Sequence, residues 1–539
     1  MTATTSTTLR PATTPATVTF VGAGPGDPGL LTLRAAEALS RADVVILDQL
    51  ARENVVGRHC PQDVEIIDAG HGDHGQPLTH AANAKLVVTT AKSHRGCTVV
   101  RLMDGDPATF NGLAEEALAC AKAGIPFEVV PGVSAVTAVP TYAGVPLTCA
   151  TSTAVHVMGM SGAVDHACTD PNATVVAVGN TDVLMRGLGA LLEAGRAADT
   201  PVALTQCGTS VAQVTATTTL GEVASALRTV QGPALAVVGP TVAMRDALSW
   251  FETKPLFGWN VLVPRTKEQS GSIVGRLAAY GAVATIVPTI NVEPPRTPQQ
   301  MDRAITGLVT GRYEWIGFTS VNAVKAIRER LEALGLDARS FAGLKIAAVG
   351  GVTAKALLAW GLNPDLVPSG EQSARGLLEE WPPFDDILDP INRVLLPRAD
   401  IATDTLVAGL LDMGWEVDDV TAYRTVRAAP PAPEVRDAIK GGAFDAVVFT
   451  SSSTVRNLVG IAGKPHATTV VACIGPATAK TAQEHGLRVD VLAATPAADV
   501  LIDALADYGA ARAHAAAQAG EPVRRPSQRR PATRRRARS

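Results

Sequence analysis

Short runs of Val, Ile and Leu alternate along the chain with longer amphipathic stretches. Over residues 18–70 the apolar runs are VTFVG, DVVILD and EIIDAG, and the helical stretch LLTLRAAEALSRA follows the first of them. Short apolar runs bounded by turn residues are typical of buried strands, whereas the longer stretches have the helical period. This βαβ alternation predicts an α/β protein with parallel sheets.

Breaks in this pattern divide the chain. Pro255 and Gly258 interrupt it before a fresh strand over Asn260–Pro264, and both ends are rich in Thr, Ala, Pro or Arg without any period. We predict one domain over residues 18–252, a linker over 253–258 and a second domain over 259–508, with disordered tails over 1–17 and 509–539.

The second half contains an internal duplication. VLVPR, ending at Arg265, is echoed by VLLPR, ending at Arg398, and two further pairs of similar segments surround Thr319 and Thr450 and then Gly350 and Gly475. A repeated α/β pattern predicts two similar lobes, with a ligand cleft between them.

Charge and aromatic content argue against nucleic-acid binding. The 539 residues carry 47 Lys and Arg against 51 Asp and Glu, a formal net charge of −4, and only 4% are aromatic. The chain therefore has neither a global basic field nor many stacking platforms. We expect the Arg-rich end to be a solvated tail.

Seven scattered cysteines form no C-x-x-C pair and no zinc-like cluster, and no apolar run approaches 18 residues. The first residues also lack the order of a signal peptide. We expect a cytoplasmic protein without a metal site.

A glycine-rich loop, Gly22–Asp27, follows the first predicted strand. Its backbone could approach a ligand closely, and Asp48 at the end of the next strand resembles the ribose-binding acid of dinucleotide folds. However, Asp27 occupies the position of the third glycine in the dinucleotide fingerprint, where an acid would repel a pyrophosphate. Further strands end at Asp104–Pro107 and Gly132–Ala135, and acids there suit a cationic or ribose-bearing ligand.

Five segments of the first half resemble, in order and spacing, uroporphyrinogen-III C-methyltransferases of the tetrapyrrole methylase family. They are GAGPGDPGLLTLRAAEAL, ADVVILD, VVRL..GDP, VPGVSA and YAGVPLT. The resemblance covers residues 18–252 and implies two α/β lobes, S-adenosylmethionine bound in the crevice between them, and a homodimer. It also implies methylation of two ring carbons of uroporphyrinogen III to give precorrin-2.

The resemblance assigns Asp48 as the proton acceptor and His71 as a proton donor. It also assigns residues to S-adenosylmethionine binding; these are Pro25, Asp104, Gly105, Asp106, Thr109, Ser134, Ala135, Gly179 and Gly208. The chain departs from the family at His71, where Lys is usual, at Asp104, where Gly is usual, and at Cys149-Ala150, where His-Arg is usual. These departures leave open a methyltransferase half that is degenerate or redirected.

In the second half, Thr319-Ser320 and Thr450-Ser451-Ser452 close predicted strands and open helices, and the segments ending at Thr353 and Thr478 repeat the arrangement. Such helix starts can bind carboxylates, although each is also explained by ordinary N-capping.

Seven segments of the second half together resemble uroporphyrinogen-III synthases over residues 259–508. They are VLVPR, FTSVNAV, AAVGGVTAKAL, VLLPRA, VTAYRT, FTSSSTV and ACIGPATAKTA. The resemblance implies cyclisation of hydroxymethylbilane by two lobes whose connecting strands cross near Asn291–Pro295 and Tyr423–Val426. It suggests Tyr423 as an acid for loss of hydroxide. The expected substrate-binding residues are Arg265, Thr319, Ser320, Thr353, Arg398, Ser451 and Thr478.

Taken together, these features predict a bifunctional tetrapyrrole enzyme that supplies sirohaem or cobalamin synthesis. Three alternatives remain at this point. They are a nicotinamide oxidoreductase using the glycine-rich loop, a non-catalytic solute-binding module, and an active synthase fused to a degenerate methyltransferase half.

Overall fold

The computed structural model describes residues 16–48, 55–71, 78–159, 164–266 and 270–529. The chain divides into two compact units. The first consists of residues up to Trp259 together with Leu277–Val283 and Ala506–Val523, and the second consists of the remainder. The predicted linker over 253–258 ends next to this division.

The first lobe of the first unit is built on five parallel strands in the order β3-β2-β4-β1-β5. Its elements are β1 (Thr17–Gly22), α1 (Leu33–Ser40), β2 (Val44–Leu47), α2 (Gly57–His59), β3 (Glu65–Asp68), α3 (His80–Ser93), β4 (Thr98–Met103), α4 (Leu113–Lys122), β5 (Phe127–Val130) and α5 (Ala135–Tyr142).

The sequence explains why this sheet is covered on both faces. Alternate residues of the apolar strands pack into separate cores, so that Val21 contributes to one and Phe20 to the other. Side-chain oxygens of Thr32, Thr79 and Ser134 cap the starts of α1, α3 and α5. The carboxyl ends of β1, β2 and β4 therefore lie along one edge of the sheet, which is where open α/β sheets bind ligands.

The second lobe has a mixed sheet rather than the parallel one predicted. The order is β6-β7-β10-β8-β9; only β6 and β7 run parallel, and the other three pairs are antiparallel. A short connection between β8 and β9 forces an antiparallel hairpin, because parallel neighbours need a long crossover. The elements are β6 (Val155–Met158), β7 (Thr174–Gly179), α6 (Thr181–Glu193), β8 (Pro201–Gln206), β9 (Val214–Thr219), α7 (Val223–Leu227), β10 (Ala234–Val238) and α8 (Arg245–Leu248).

The second unit contains two five-stranded sheets, in the orders β12-β11-β18-β19-β20 and β13-β17-β16-β14-β15. In chain order, the first ten elements of this unit are β11 (Asn260–Val263), α9 (Gly271–Ala279), β12 (Val283–Ile286), β13 (Ile290–Glu293), α10 (Pro298–Val309), β14 (Trp315–Phe318), α11 (Val321–Ala333), β15 (Lys345–Ala348), α12 (Gly351–Trp360) and α13 (Ala374–Glu380). They are followed by β16 (Arg393–Ala399), α14 (Thr405–Asp412), β17 (Glu416–Arg427), α15 (Pro433–Gly441), β18 (Ala446–Phe449), α16 (Ser452–Ala462), β19 (Val470–Cys473), α17 (Pro476–Glu484), β20 (Val491–Leu492) and α18 (Ala498–Gln518).

The predicted double crossing of the chain is confirmed. Strand β13 pairs antiparallel with the end of β17, with Asn291 opposite Val426 and Glu293 opposite Arg424. After β17 the chain returns to the first sheet, where β18 pairs parallel with β11. The duplicated segments thus form two lobes whose central strands come from both halves of the repeat.

The predicted C-terminal tail starts too early. Helix α18 continues through residue 508 to Gln518, and Ala516 is buried. Beyond it, Pro526–Arg529 form a 3-10 helix in which Pro526 is buried, and the Ser527 N–H donates to Asp445 Oδ1 at 2.9 Å. The Ala-rich composition that suggested disorder is also the composition of a good helix former.

Most of the predicted N-terminal tail, residues 1–15, lies outside the described residues, as does the end of the C-terminal tail, residues 530–539. In the described part of the chain, every helix is too short or too polar to span a bilayer.

Candidate functional site

The glycine-rich loop after β1 packs directly on the segments after β4 and β5. Gly24 and Gly105 exchange two backbone hydrogen bonds of 3.1 and 2.8 Å. A Cβ on Gly22 would lie 2.5 Å from Gly132 Cα, and a Cβ on Gly132 would lie 2.1 Å from the Gly105 carbonyl oxygen. The three predicted segments therefore meet at one sheet edge, and only glycine fits where they touch.

Asp106 organises this edge. Its carboxylate accepts hydrogen bonds from the backbone N–H of Gly132 at 3.0 Å and of Ala108 at 2.9 Å, and from the Thr109 hydroxyl at 3.3 Å. The Asn111 amide donates to the carbonyls of Asp104 and Asp106. The side chains of Asp106 and Thr109 thus hold the loops in shape.

A buried ion-pair cluster lies beside these loops. Arg101, on β4, is 1% exposed; its Nη2 donates to Asp48 Oδ1 at 2.8 Å, and its Nε donates to Glu116 Oε2 at 2.9 Å. Burial alone would lower the pKa of the Arg101 guanidinium, but the two carboxylates raise it above its ordinary value. Arg101 therefore stays charged and fixes one oxygen of Asp48, whose other oxygen has no hydrogen-bond partner among the described residues.

Asp104 adds a further carboxyl to the same edge. It follows β4 directly, and β4 pairs with β2, the strand that Asp48 follows. Burial first, and then the charge of Asp48, raise the pKa of Asp104 from its ordinary 3.8 to about 6, although Arg101 opposes the shift. The edge has one guanidinium, that of Arg101, and three carboxyl groups, those of Asp48, Asp104 and Glu116. It therefore carries excess negative charge.

Sequence reasoning missed Arg101 and Glu116. A signal was present, because Arg101 is the only charged residue in the otherwise apolar strand VVRLM. Arg is almost never fully buried without an acidic partner. The partner could not be identified from sequence, because Glu116 is one of two adjacent acids on α4 and only the fold shows that it is buried.

The other residues predicted to bind S-adenosylmethionine belong to both lobes of the first unit. Ser134 caps α5 through its hydroxyl, Ala135 is the first residue of that helix, and Pro25 is half-buried within the glycine-rich loop. Gly179 ends β7, and a Cβ there would lie 2.7 Å from Val183 Cγ1. The structure places Pro25 and Ser134 with the first sheet edge and Gly179 at the end of a second-lobe strand.

Gly208 lies between two residues in left-handed conformations. The backbone φ is 49° at Cys207 and 66° at Thr209, and these two and Phe110 are the only such residues besides glycine in the described ranges. A Cβ on Gly208 would lie 2.4 Å from Val139 Cγ2. Strained backbone of this kind concentrates at binding sites, where the surrounding structure holds it in place.

His71 lies at the border of the described residues. Its backbone N–H, like that of Gly70, donates to Asp68 Oδ1, at 3.3 and 2.7 Å respectively. This turn fixes the start of the loop, and the following residues 72–77 are not described. The role of His71 as proton donor stays a prediction.

In the second unit the structure brings together Ser320 and Tyr423. Ser320 caps α11 by accepting a hydrogen bond from the Ala323 N–H, and its Oγ lies 2.9 Å from the Tyr423 hydroxyl oxygen. Tyr423 is 7% exposed, and Thr319 precedes Ser320 in a half-buried position. Two hydroxyls, one just after β14 and one within β17, therefore share one hydrogen bond.

The expected role of Arg398 in substrate binding is not supported. Its Nε donates to Asp419 Oδ1 at 2.5 Å, its Nη1 donates to the Thr403 carbonyl at 2.6 Å, and its Nη2 pairs with both Asp419 and Asp404. The hydrogen bond to Asp419 first, and then the other acid, raise the pKa of Arg398 above its ordinary value. Four of the five N–H donors of this guanidinium are thus used within the protein, and two carboxylates already balance its charge.

Arg265, the counterpart of Arg398 in the repeat, differs. It is half-buried at the end of β11, it has no ion-pair partner among the described residues, and burial lowers its pKa. An incoming carboxylate would offset that desolvation. Arg265 therefore remains the better candidate of the two.

The remaining predicted residues of the second unit are mainly structural in this conformation. Ser451 caps α16 by accepting from the Thr454 N–H at 3.3 Å. Thr353 and Thr478 are buried on α12 and α17, with 6% and 4% of their surface exposed. Ordinary capping thus explains Ser451, as the sequence analysis allowed.

Comparisons with known proteins match both regions. The family model of Tetrapyrrole (Corrin/Porphyrin) Methylases matches residues 17–224, and that of Uroporphyrinogen-III synthase HemD matches residues 271–503. The porphyrin biosynthesis protein HemD of Ruminiclostridium josui is 33% identical over 509 residues, which cover 91% of this chain and 98% of that protein.

Siroheme synthase 1 of Klebsiella pneumoniae is 41% identical over 256 residues, which cover 46% of this chain. The match spans 53% of that relative, so only about half of the siroheme synthase is represented. A crystal structure of uroporphyrin-III-C-methyltransferase from Thermus thermophilus covers 43% of this chain at 31% identity, with a TM-score of 0.36.

The methylase match favours a methyltransferase over the nicotinamide and solute-binding alternatives, and the joint match favours the intact bifunctional enzyme over the degenerate one. The relative from Ruminiclostridium josui spans nearly the whole chain, including both matched regions. The chain therefore belongs to the family of the porphyrin biosynthesis protein HemD, as a bifunctional enzyme of tetrapyrrole biosynthesis with a methyltransferase region followed by a uroporphyrinogen-III synthase region.

Proposed function

We propose that the synthase region cyclises hydroxymethylbilane to uroporphyrinogen III, and that the methylase region methylates this product twice with S-adenosylmethionine to give precorrin-2. The product would supply sirohaem or cobalamin synthesis in the cytoplasm. The observation that carries the methylase half of the proposal is the Asp48 carboxylate, held by Arg101 at a sheet edge built from close-packed glycines.

The methylase edge fits S-adenosylmethionine on two counts. Its glycines bring three loops together at the sheet edge where open α/β sheets bind ligands, and its surplus carboxylates suit a sulfonium cation. When bound, S-adenosylmethionine supplies an electrophilic methyl group. We assign its binding to Pro25, Asp104, Gly105, Asp106, Thr109, Ser134, Ala135, Gly179 and Gly208.

Asp48 is the proposed proton acceptor. Methylation of a pyrrole carbon requires loss of a proton from the substrate, and a carboxylate within reach of that proton can accept it. Arg101 binds Asp48 Oδ1 and leaves the direction of Oδ2 defined, which orients the base without a rearrangement during the reaction.

In the synthase region the proposed acid is Tyr423. Its hydroxyl would assist departure of hydroxide from the hydroxymethyl group, and Ser320 would keep the hydroxyl oriented. Arg265 would bind a substrate carboxylate. Further substrate contacts would come from the helix starts of the two lobes, namely Thr319, Ser451, Thr353 and Thr478. Because ionisation of the hydroxymethyl group is easy, holding the flexible substrate for the correct closure is the main task.

We also propose that the methylase region forms a homodimer. Among the described strands, β5 is an edge strand paired only with β1, and its Phe127 and Val129 are 38% and 40% exposed. With Phe110 and Leu118 they line an open depression of about 740 Å³. An unpaired apolar edge is a template for a second copy, and Val129→Lys should give monomers in light scattering.

The experiment that tests the proposed function is product analysis by mass and absorbance under anaerobic conditions. The full chain is given hydroxymethylbilane with and without S-adenosylmethionine. A dimethylated product that forms only with the donor supports both activities. Uroporphyrinogen III in both tubes would overturn the methylase half, and the spontaneous type I isomer would overturn the synthase half.

A further inference from the structure

A segment beyond the matched methylase region is linked, through Gln213 and Tyr142, to both loops that would bind the methyl donor. This segment, Arg245–Glu252, lies beyond residue 224, where the family match ends. It belongs to the same compact unit as the glycine-rich loop and the Cys207–Thr209 loop. Two separate sets of contacts run from it to those loops.

The first set is a polar chain. Glu252 Oε1 accepts a hydrogen bond from Gln213 Nε2 at 2.8 Å, and Gln213 Oε1 accepts one from the Thr209 N–H at 2.7 Å. The Thr209 Oγ1 then accepts a hydrogen bond from the Asp27 N–H at 3.0 Å. Gln213 and Thr209 are each 2% exposed, so these bonds form out of water.

This chain acts on strained backbone. Thr209 has a left-handed φ of 66°, which is rare for a β-branched residue. Without the bond from its N–H to Gln213, the buried backbone donor would lose its partner and the loop could relax. Gly208 is the neighbour of Thr209, so the position of its backbone depends on the same bond.

The second set is aromatic. The Tyr142 ring packs on Trp250 and Phe251, with ring centroids 5.1 and 4.7 Å away. The Tyr142 hydroxyl donates to Asp27 Oδ2 at 2.8 Å. Burial first, and then Asp27, raise the pKa of Tyr142, so this hydroxyl keeps its proton at any working pH.

Both sets end on Asp27, at the end of the glycine-rich loop. Its backbone N–H is held through Thr209, and its carboxylate is held through Tyr142. The segment itself is anchored at its start, because Arg245 Nη2 pairs with Glu252 Oε2 at 2.8 Å and Arg245 Nη1 donates to the Ala143 carbonyl.

We propose that Arg245–Glu252 is a positioning brace that holds the glycine-rich loop and the Cys207–Thr209 loop in the geometry that binds the methyl donor, with Glu252 and Gln213 as its positioning residues. The proposal rests on the proposed function, since it concerns the donor site of the methylase region. It adds Glu252, which lies beyond the residues matched by the family model, and Gln213, which lies within them, as residues that act through the two loops. Donor affinity is therefore set partly by how well the brace preorganises two loops.

The principal test reverses the polarity of the hydrogen bond between positions 213 and 252. Gln213→Glu can still accept from the Thr209 N–H, but it places a second carboxylate against Glu252 and should push the loop out of position. Adding Glu252→Gln restores a donor and an acceptor with the polarity exchanged. The dissociation constant of S-adenosylmethionine is measured on the full chain by calorimetry, along with the kcat and KM of methylation.

We expect Gln213→Glu to raise the dissociation constant about 10-fold or more, which is the effect of losing one charge-assisted contact, and the double variant to recover most of it. The KM for the donor should rise more than kcat falls. The matched control is Thr215→Val, which removes a 2.6 Å hydrogen bond to the same Glu252 oxygen without breaking the link to Thr209. It should change donor affinity by no more than about 2-fold.

Tyr142→Phe tests the aromatic side and keeps the ring packing, so it serves if Gln213→Glu fails to fold. It should weaken donor binding about 3- to 10-fold. Cyclisation of hydroxymethylbilane by the same chain reports that the rest of the protein is intact. If Gln213→Glu and Tyr142→Phe bind the donor as the unaltered protein does, or the double variant is no better than the single one, the brace is refuted. If the unaltered protein does not bind S-adenosylmethionine, the proposed function fails instead.

Discussion

The methylase region places charged side chains at its adjacent strand ends, whereas the synthase region places mainly hydroxyl groups there. Arg101, Asp48 and Glu116 form ion pairs of 2.8 and 2.9 Å in the first region. In the second, the closest pair among the predicted residues is the 2.9 Å contact between Ser320 and Tyr423.

The chemistry explains this difference. Methylation of a carbon requires a base whose position is fixed before the proton leaves, and a buried guanidinium supplies that fixation. Cyclisation starts with a leaving group that departs readily, so short-range donors that hold the substrate in one conformation are sufficient. Under the proposed function, the two regions therefore use their polar groups for different tasks: the first orients a base, and the second restricts a flexible substrate.

The repeated lobes of the synthase region show a smaller version of the same contrast. Arg398 is paired with Asp419 and Asp404, whereas Arg265 at the equivalent repeat position has no ion-pair partner among the described residues. Of the two equivalent arginines in the repeat, Arg398 thus serves the stability of its lobe, and Arg265 is the candidate for substrate binding.

The substitution Asp48→Asn should separate the activities of the two regions most strongly. The amide cannot accept a proton from the substrate, so methylation should fall by about 100-fold or more. Cyclisation should continue at its normal rate, because Asp48 belongs to the other compact unit. The two activities are measured on one preparation by product mass, and undiminished methylation would remove Asp48 from the mechanism.

Arg101→Met tests whether the charge cluster is structural as well as catalytic. It leaves Glu116, which is fully buried, without its partner and should lower the free energy of unfolding of the methylase region by about 3–5 kcal/mol. The double variant Arg101→Met/Glu116→Leu should recover much of that stability in denaturant titrations. Methylation should stay low in both variants, because Asp48 is no longer oriented; a double variant that methylates normally would reduce Arg101 to a structural role.

Much of this organisation was predictable from sequence. The alternation of apolar runs and helices predicted the α/β class, and the repeat predicted the second unit's lobes, because both depend on local periodicity. Crossings of the chain near Asn291–Pro295 and Tyr423–Val426 were also predicted, from the resemblance rather than from periodicity, and the structure pairs the strands that contain them.

The parts that were missed depend on packing between distant segments. The mixed second-lobe sheet is not readable from strand composition, since the same Val-rich strand suits either direction. The partners of Arg398 and the burial of Glu116 likewise follow from tertiary contacts. Helix α18 was missed because its Ala-rich sequence has a weak apolar stripe and resembles a low-complexity tail.

Tyr423→Phe addresses the hydroxyl side of the comparison. Removing the phenolic oxygen leaves the ring in place and takes away the proposed acid, so cyclisation to uroporphyrinogen III should slow by about 10-fold, with the type I isomer increasing. Ser320→Ala is the matched control, since it removes the partner hydroxyl and the helix cap, and should slow cyclisation less. Methylation of supplied uroporphyrinogen III should be unaffected, and an unchanged rate of cyclisation in Tyr423→Phe would exclude the acid role.

The smallest expected effect concerns the stability cost of placing Asp104 beside Asp48. The pKa of Asp104 is raised to about 6 in the folded protein, above its ordinary 3.8. Between these values the unfolded chain releases the proton first, so the folded state loses relative stability as the pH rises through this window. The stabilising contribution is complete below the ordinary pKa and lost above about pH 6.

Asp104→Asn removes this dependence. Its melting temperature should equal that of the unaltered protein near pH 4 and exceed it by about 2 °C at pH 8, where the carboxyl is ionised in both states. Asp106→Asn is the control: that carboxylate accepts hydrogen bonds from Gly132 and Ala108, so its loss should lower the melting temperature at pH 8 instead. A gain for Asp104→Asn that is the same at pH 4 and pH 8 would show that the effect is one of packing, and the surplus of negative charge would no longer distinguish the methylase edge from the synthase region.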